Sequence, residues 1–331
     1  MKIAYLIAAF KHPLHLKRLI DALSVDDCGF FIHVDKKSDI GDFRSINWNN
    51  VAFCDRRTLV YWSEYSFVEA QLALMRQSIS SPRNYDYFIL LSGSEYPLRS
   101  GRYIADFFGN NQGWEFISLA KMPHDRKPIS RISTFRVSAA KPVRRTIVKG
   151  LARLGLARRD YMKYLGALEP FAGNTWWALT RDACRYILDF VQSNRPVCEF
   201  FENIFAPDET LFHTILGNSI FRPRVRRNLV FEDWRWCVQA RQAGRRHKYK
   251  FLERSGHKSA HPAWMEEEHV GYFEKSGKVL LNDIYGSGEA LFARKFREGD
   301  TDLIRRMENV IRNDVIGHEE GHWNGKVGTG P

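Results

Sequence analysis

An open α/β fold with a mostly parallel central sheet flanked by helices is what this sequence predicts, and three observations predict it. Residues 3–10, 30–34 and 87–91 are continuous apolar runs, the pattern of strands buried on both faces. Residues 14–23 and 66–78 space their apolar side chains as helices do, so strand and helix alternate. Polar segments follow two of the runs directly: Asp35-Lys36-Lys37, and Ser92-Gly93-Ser94-Glu95-Tyr96-Pro97. In open parallel sheets, ligands sit at such carboxyl ends.

Taken in order, the first strand leads into a helix carrying Leu16, Leu19, Ile20 and Leu23, and the second strand completes a βαβ unit. Val51–Phe53 supplies a third strand, residues 66–78 a helix, residues 87–91 a fourth strand and residues 115–120 a fifth. Residues 171–179 turn at Gly173 into an aromatic strand. There Trp176 and Trp177 alternate faces, one for the core and one free to stack on a flat ligand. Residues 182–192 form a helix. Pro207-Asp208-Glu209 reads as a helix start, with proline and acids ahead of an apolar-periodic run. Glu209 then lies at the rim of the sheet, and His213 falls one turn later on the same face. Residues 241–258 are basic and loop-like, and residues 291–296 belong to a basic helical stretch holding Arg294 and Lys295. Such a pair suits a diphosphate, arginine through its fork and lysine as a point charge.

Composition narrows the partners. The 331 residues are 44% hydrophobic, enough for one large domain or two lobes around a cleft. A net charge of +12 favours anionic partners, and no nucleic-acid-binding motif occurs, so nucleic acid is not expected. The five cysteines are widely spaced without a CxxC, which argues against a disulfide framework and against a zinc site. A reducing cytoplasm fits them. No run of 18 apolar residues occurs, so a soluble or peripheral protein is expected. From Lys127 to Lys163 the cations accumulate while Ile147, Val148, Leu151, Leu154 and Leu156 are interleaved. This is the pattern of a basic amphipathic helix, either packed on the domain as a solvated helix or docked on an anionic membrane or polyanion.

Eight segments carry a resemblance. AYLIAAFKHP, FFIHVDKKS, VYWSEYSFVEAQLALM, DYFILLSGSEYPLRS, FAGNTWWALTR, FAPDETLFHTIL, NLVFEDW and LFARKF occur in this order. Together they resemble glycosyltransferase family 14, the Core-2/I-branching enzymes, which include branching β-1,6-N-acetylglucosaminyltransferases and peptide O-xylosyltransferases. The resemblance implies a GT-A-type nucleotide-sugar transferase fold, inversion at the anomeric carbon, and no metal or other cofactor. Where a metal-binding acid pair would follow the fourth strand, this chain keeps one acid, Glu95.

Carried over by motif, the resemblance makes Glu209 the catalytic base. It assigns Arg294 and Lys295 to the donor diphosphate, and Asp35, with Ala8 and Phe10, to the uridine. Ser94, Glu95, Trp176, Trp177 and Asp208 are candidates for the donor or acceptor sugar. Together with composition, it divides the chain into a nucleotide-binding half (residues 1–120), a basic helical insertion (121–165), an acceptor-binding and catalytic half (166–323) and a flexible tail (324–331). Two departures stand out. Thr175 replaces the aspartate of xylosyltransferases, and residues 277–282 hold no match for a second arginine of the Core-2 enzymes. The extracellular members' disulfides and anchor have no counterpart, so a bacterial, cytoplasmic relative is expected, peripheral at the inner membrane face. The expected reaction moves GlcNAc from a UDP-sugar to a glycan or lipid-linked glycan hydroxyl. A UDP-xylose-dependent relative is the first alternative, and a non-catalytic glycan- or membrane-binding protein is the alternative from another class.

Overall fold

A seven-stranded sheet carries the fold in the computed structural model, which describes residues 1–124, 127–235 and 261–323, with residues 313–323 described by backbone alone. Along the chain the strands are β1 (Ile3–Ala9), β2 (Cys28–Val34), β3 (Val51–Phe53), β4 (Tyr87–Ser92), β5 (Glu95–Pro97), β6 (Glu115–Ile117), β7 (Ala120–Lys121), β8 (Phe171–Ala172), β9 (Trp177–Thr180), β10 (Val225–Arg226), β11 (Val230–Glu232), β12 (Leu280–Asp283), β13 (Gly286–Glu289) and β14 (Phe292–Arg294). The large sheet runs β10-β6-β9-β4-β1-β2-β3. Its pairs are parallel except where β9 lies antiparallel between β4 and β6.

The apolar runs explain the sheet's centre. β2 is buried along its whole length, and β1 and β4 nearly so. Helix Tyr65–Ile79 packs on β1 and β2, and helix Pro13–Leu23 buries Leu16, Leu19, Ile20 and Leu23, as their spacing predicts. Each such side chain removed from water contributes about 1.5–3 kcal/mol. A smaller core gathers Tyr96, Met265, Phe273, Ala293, Phe296 and Met307 behind a three-stranded sheet, β11-β14-β5.

Reversal of β9 matters for the site. Because β9 runs against β4, the residues that enter it, Asn174–Trp176 in sequence, reach the same edge of the sheet as the carboxyl end of β4. Three local expectations are corrected. Residues 292–294 are a strand, because they pair with β11 on one side and β5 on the other. Pro207–Glu209 is a separate 3-10 turn, with the α-helix running from Leu211 to Gly217. Residues 115–120 split into β6 and β7. The basic stretch 241–258 and the tail 324–331 lie outside the described residues.

Candidate active site

Glu209 is placed by a strained turn. Ala206, just before it, has φ 50, a left-handed conformation that costs an alanine about 1–2 kcal/mol. Three backbone hydrogen bonds hold it there: Ala206 N to Ser63 O at 3.0 Å, Glu209 N to Ala206 O at 3.1 Å, and Gly173 N to Glu209 O at 3.0 Å. Gly173 must be glycine, since a Cβ would sit 1.6 Å from Ser118 O. Strain of this kind persists where the surroundings over-determine it, and it clusters at working sites.

The Glu209 carboxylate accepts hydrogen bonds from Lys127 and Arg131 on one oxygen, Oε2, while a quarter of the side chain remains exposed. Burial pushes its pKa up, but the two cations outweigh this and hold it below the usual carboxylate range. Lys127 is itself buried, and burial lowers its pKa. Asp208 accepts a 2.7 Å hydrogen bond from Thr175 Oγ1, and burial and the Glu209 charge push its pKa up. Among the described residues, His213 pairs with no carboxylate. Its Nε2 sits 3.0 Å from Asn174 O, and burial and Lys127 drive its pKa down to about 3, so it is a neutral core group.

A second polar centre forms across the small sheet. Register places Glu232, Arg294 and Glu95 side by side on β11, β14 and β5. Arg294 Nε lies 3.0 Å from Glu95, its Nη1 donates to Glu232 at 3.2 Å, and its guanidinium stacks 4.2 Å from the Trp176 ring centre. Glu232 also accepts from Trp176 Nε1, Asn174 Nδ2 and Trp234 Nε1, each at 3.2 Å. Glu95 is fully buried and accepts from Ser92 N and Oγ at 2.7 and 2.6 Å.

Lys295 follows Arg294 directly and makes no ion pair among the described residues. Its Nζ lies 5.3 Å from the centre of the Trp264 ring, which Lys11 and Arg297 also approach, at 5.6 and 5.1 Å. Burial, with Arg294 beside it, lowers the Lys295 pKa to about 8.

Several expected site residues meet here and others do not. Segment 174–176 joins the two centres: Thr175 binds Asp208, and Asn174 and Trp176 bind Glu232. The charge of Arg294 is taken up by two carboxylates, so it is not a free diphosphate cation. Glu95 is fully buried beside it, its carboxylate engaged by Ser92 and Arg294. Trp177 is core, with its Nε1 on Gln71 at 3.1 Å, and Trp176 is 4% exposed with one face under Arg294. Ser94 is buried, its carbonyl accepting from Phe296 N. Ala8, Phe10 and Asp35 do share one edge: Asp35 N donates to Ala9 O at 2.8 Å, and Phe10 is 56% exposed. The Asp35 carboxylate caps its own turn through Lys37 N at 2.9 Å.

Lys127 and Arg131 were hidden in a uniform run of cations. Glu232 carried a signal, an acid closing an apolar strand in NLVFEDW. Lys11 and Trp264 carried none. Among the described residues, Asp233, Glu268 and His269 bring metal-ligand atom types within 4.8 Å of one another, but Arg235 bonds both carboxylates at 2.9 Å. No helix among them is long and apolar enough to cross a membrane.

Residues 3–270 match the family model described as Core-2/I-Branching enzyme. The chain belongs to the Core-2/I-branching enzyme family, and that membership carries the GT-A-type reading of the sheet. Curated relatives include xylosyltransferase 2 of Homo sapiens, 27% identical over 269 residues, covering 76% of this chain and 28% of the relative. Xylosyltransferase 1 of Mus musculus is 24% identical over 331 residues, covering 95% of this chain and 30% of the relative. The chain thus spans under a third of the length of these relatives. Among solved structures, mouse xyloside xylosyltransferase 1 in its apo form is similar at a TM-score of 0.31 and 12% identity, over 69% of this chain and 85% of that one. The galactosyltransferase LgtC, with donor and acceptor sugar analogs, is similar at 0.33 and 11%, over 67% and 72%.

Proposed function

We propose that this chain transfers a sugar, with inversion and without a metal, from a UDP-sugar to the hydroxyl of a glycan or lipid-linked glycan, with Glu209 as the base. The observation that carries the proposal is the continuous polar path from Glu209 to Lys295. It runs through Asp208–Thr175, then along segment 174–176 to Glu232, Arg294 and the adjoining lysine. One end holds an ionised, partly exposed carboxylate and the other an uncommitted cation.

In this reading the acceptor oxygen attacks the anomeric carbon as its proton passes to Glu209, and the bond to the UDP β-phosphate oxygen breaks on the opposite face. General-base assistance of this kind is worth about 10²–10⁴-fold. The charge developing on UDP falls to Lys295, with Lys11 and Arg297 beside it around Trp264. Fixed cations in a partly dry site stabilise such charge without reorganising. The uridine is assigned to the edge where β1 and β2 end, at Ala8, Phe10 and Asp35. Independence from metal is supported by Glu95, whose carboxylate is already engaged by Ser92 and Arg294.

For the donor, the relatives named xylosyltransferases favour UDP-xylose over the expected UDP-GlcNAc. Release of UDP from a panel of UDP-sugars, with and without EDTA, tests the proposal. The expected result is preferential turnover of UDP-xylose that EDTA leaves unchanged. Turnover abolished by EDTA and restored by Mn²⁺ would remove the metal-free mechanism, and turnover of UDP-GlcNAc alone would reverse the donor assignment.

A further inference from the structure

Helix Pro142–Arg153 buries no residue completely. It rests on the body through Arg145, Val148 and Ala152, which are partly buried and fall on one face at spacings of three and four. Arg145 lies 3.7 Å from Glu64, whose carboxylate also accepts from Ser138 Oγ and Ala139 N at 2.5 and 2.7 Å, so the start of the helix is anchored. The opposite face is apolar and open to solvent. Val143, Ile147, Leu151 and Leu154 follow at spacings of four, four and three, exposed by 74%, 60%, 39% and 73%, and Leu156 continues the patch at 69%. Soluble surfaces seldom leave so many large apolar side chains together, and such a patch marks an interaction site.

Charge says what covers it. Arg144 and Arg153 flank the stripe on its two sides, and both are exposed. No aspartate or glutamate occurs from Lys127 to Arg159. Apolar side chains on one face with cations along its borders are the requirements for lying in the headgroup plane of an anionic bilayer. The first cations of the same segment turn inward instead, since Lys127 and Arg131 bind Glu209. The exposed apolar face of this segment is therefore on the helix, and the expectation of a docking region over the whole stretch from Lys127 to Lys163 is narrowed accordingly.

We infer that helix Pro142–Arg153 docks this chain on an anionic lipid surface, with Val143, Ile147, Leu151 and Leu154 entering the interface and Arg144 and Arg153 meeting the headgroups. This holds whichever sugar is transferred. The test is co-sedimentation of the full chain with vesicles of phosphatidylcholine mixed with phosphatidylglycerol, against phosphatidylcholine alone. Binding to the mixed vesicles only, weakened by salt, is expected. Each of Arg144→Gln and Arg153→Gln should weaken partitioning about fivefold. Ile147→Asp with Leu151→Asp should weaken it at least as much as the two together. A thermal shift by UDP that survives in every variant shows that the fold is intact. Three results would overturn the inference: no binding to mixed vesicles, binding indifferent to Ile147→Asp with Leu151→Asp, or a dimer in solution that this double variant converts to monomer without affecting vesicles. The last would make a second copy of the chain the occupant.

Discussion

At Glu209 two cations share one carboxylate, whereas at Arg294 two carboxylates share one guanidinium. The two centres are joined by residues 174–176 and have opposite surpluses of charge. Their difference lies in what each leaves over. The Glu209 centre leaves a partly exposed, ionised oxygen in a positive setting. The Arg294 centre uses up its arginine to align three strands and leaves Lys295, the next residue, without an ion pair among the described residues. An arginine and a lysine adjacent in sequence are therefore partnered differently: Arg294 is held between two carboxylates, and Lys295 approaches Trp264.

The largest effect expected from breaking this contrast is on stability. Glu232→Gln removes the charge that accepts from Arg294, Trp176, Asn174 and Trp234, and losing one partner of a buried pair costs about 3–5 kcal/mol. A fall of several degrees in the unfolding midpoint should follow, and an unchanged midpoint would show that Arg294 does not depend on this pairing. Lys295→Met separates the roles next. Donor KM should rise about 10- to 100-fold, the worth of a hydrogen bond to a charged group, with the unfolding midpoint nearly unchanged. The same lysine sets an alkaline limit. Its pKa is lowered to about 8, so it is charged below that pH and neutral above it. kcat/KM for the donor, which reports the free enzyme, should fall as pH rises through 8, and that limb should vanish in Lys295→Met. The smallest effect is expected from Lys127→Met. Losing one of two cations lets burial raise the Glu209 pKa, so the acid limb of kcat/KM should move to higher pH. An unmoved limb would mean that Arg131 alone sets the ionisation of Glu209.

The sheet was legible because its strands are apolar throughout, and a strand buried on both faces leaves a run that no loop imitates. The small sheet was less so. β14 spells LFARKF, and its charged residues gave it the look of a helix surface. Only pairing with β5 and β11 makes it a strand, and pairing is not visible in a local window. Glu209 stands out only through its motif, since spacing alone supports no more than an acid in a first turn. Its cations come from 78 and 82 residues earlier in the chain, out of a basic run in which nothing marks Lys127 and Arg131 as inward-facing. The likeness of Trp176 and Trp177 hid their difference. β9 aims the second into the core, while the first ends under Arg294.

Glu209→Gln tests the central claim most directly, because it keeps size and removes basicity. Transfer should fall at least about 100-fold while UDP affinity stays within about twofold of the unaltered chain, the separation expected of a group that takes a proton in the transition state. Transfer within about tenfold of the unaltered chain, with UDP still bound, would contradict the assignment of Glu209 as the base.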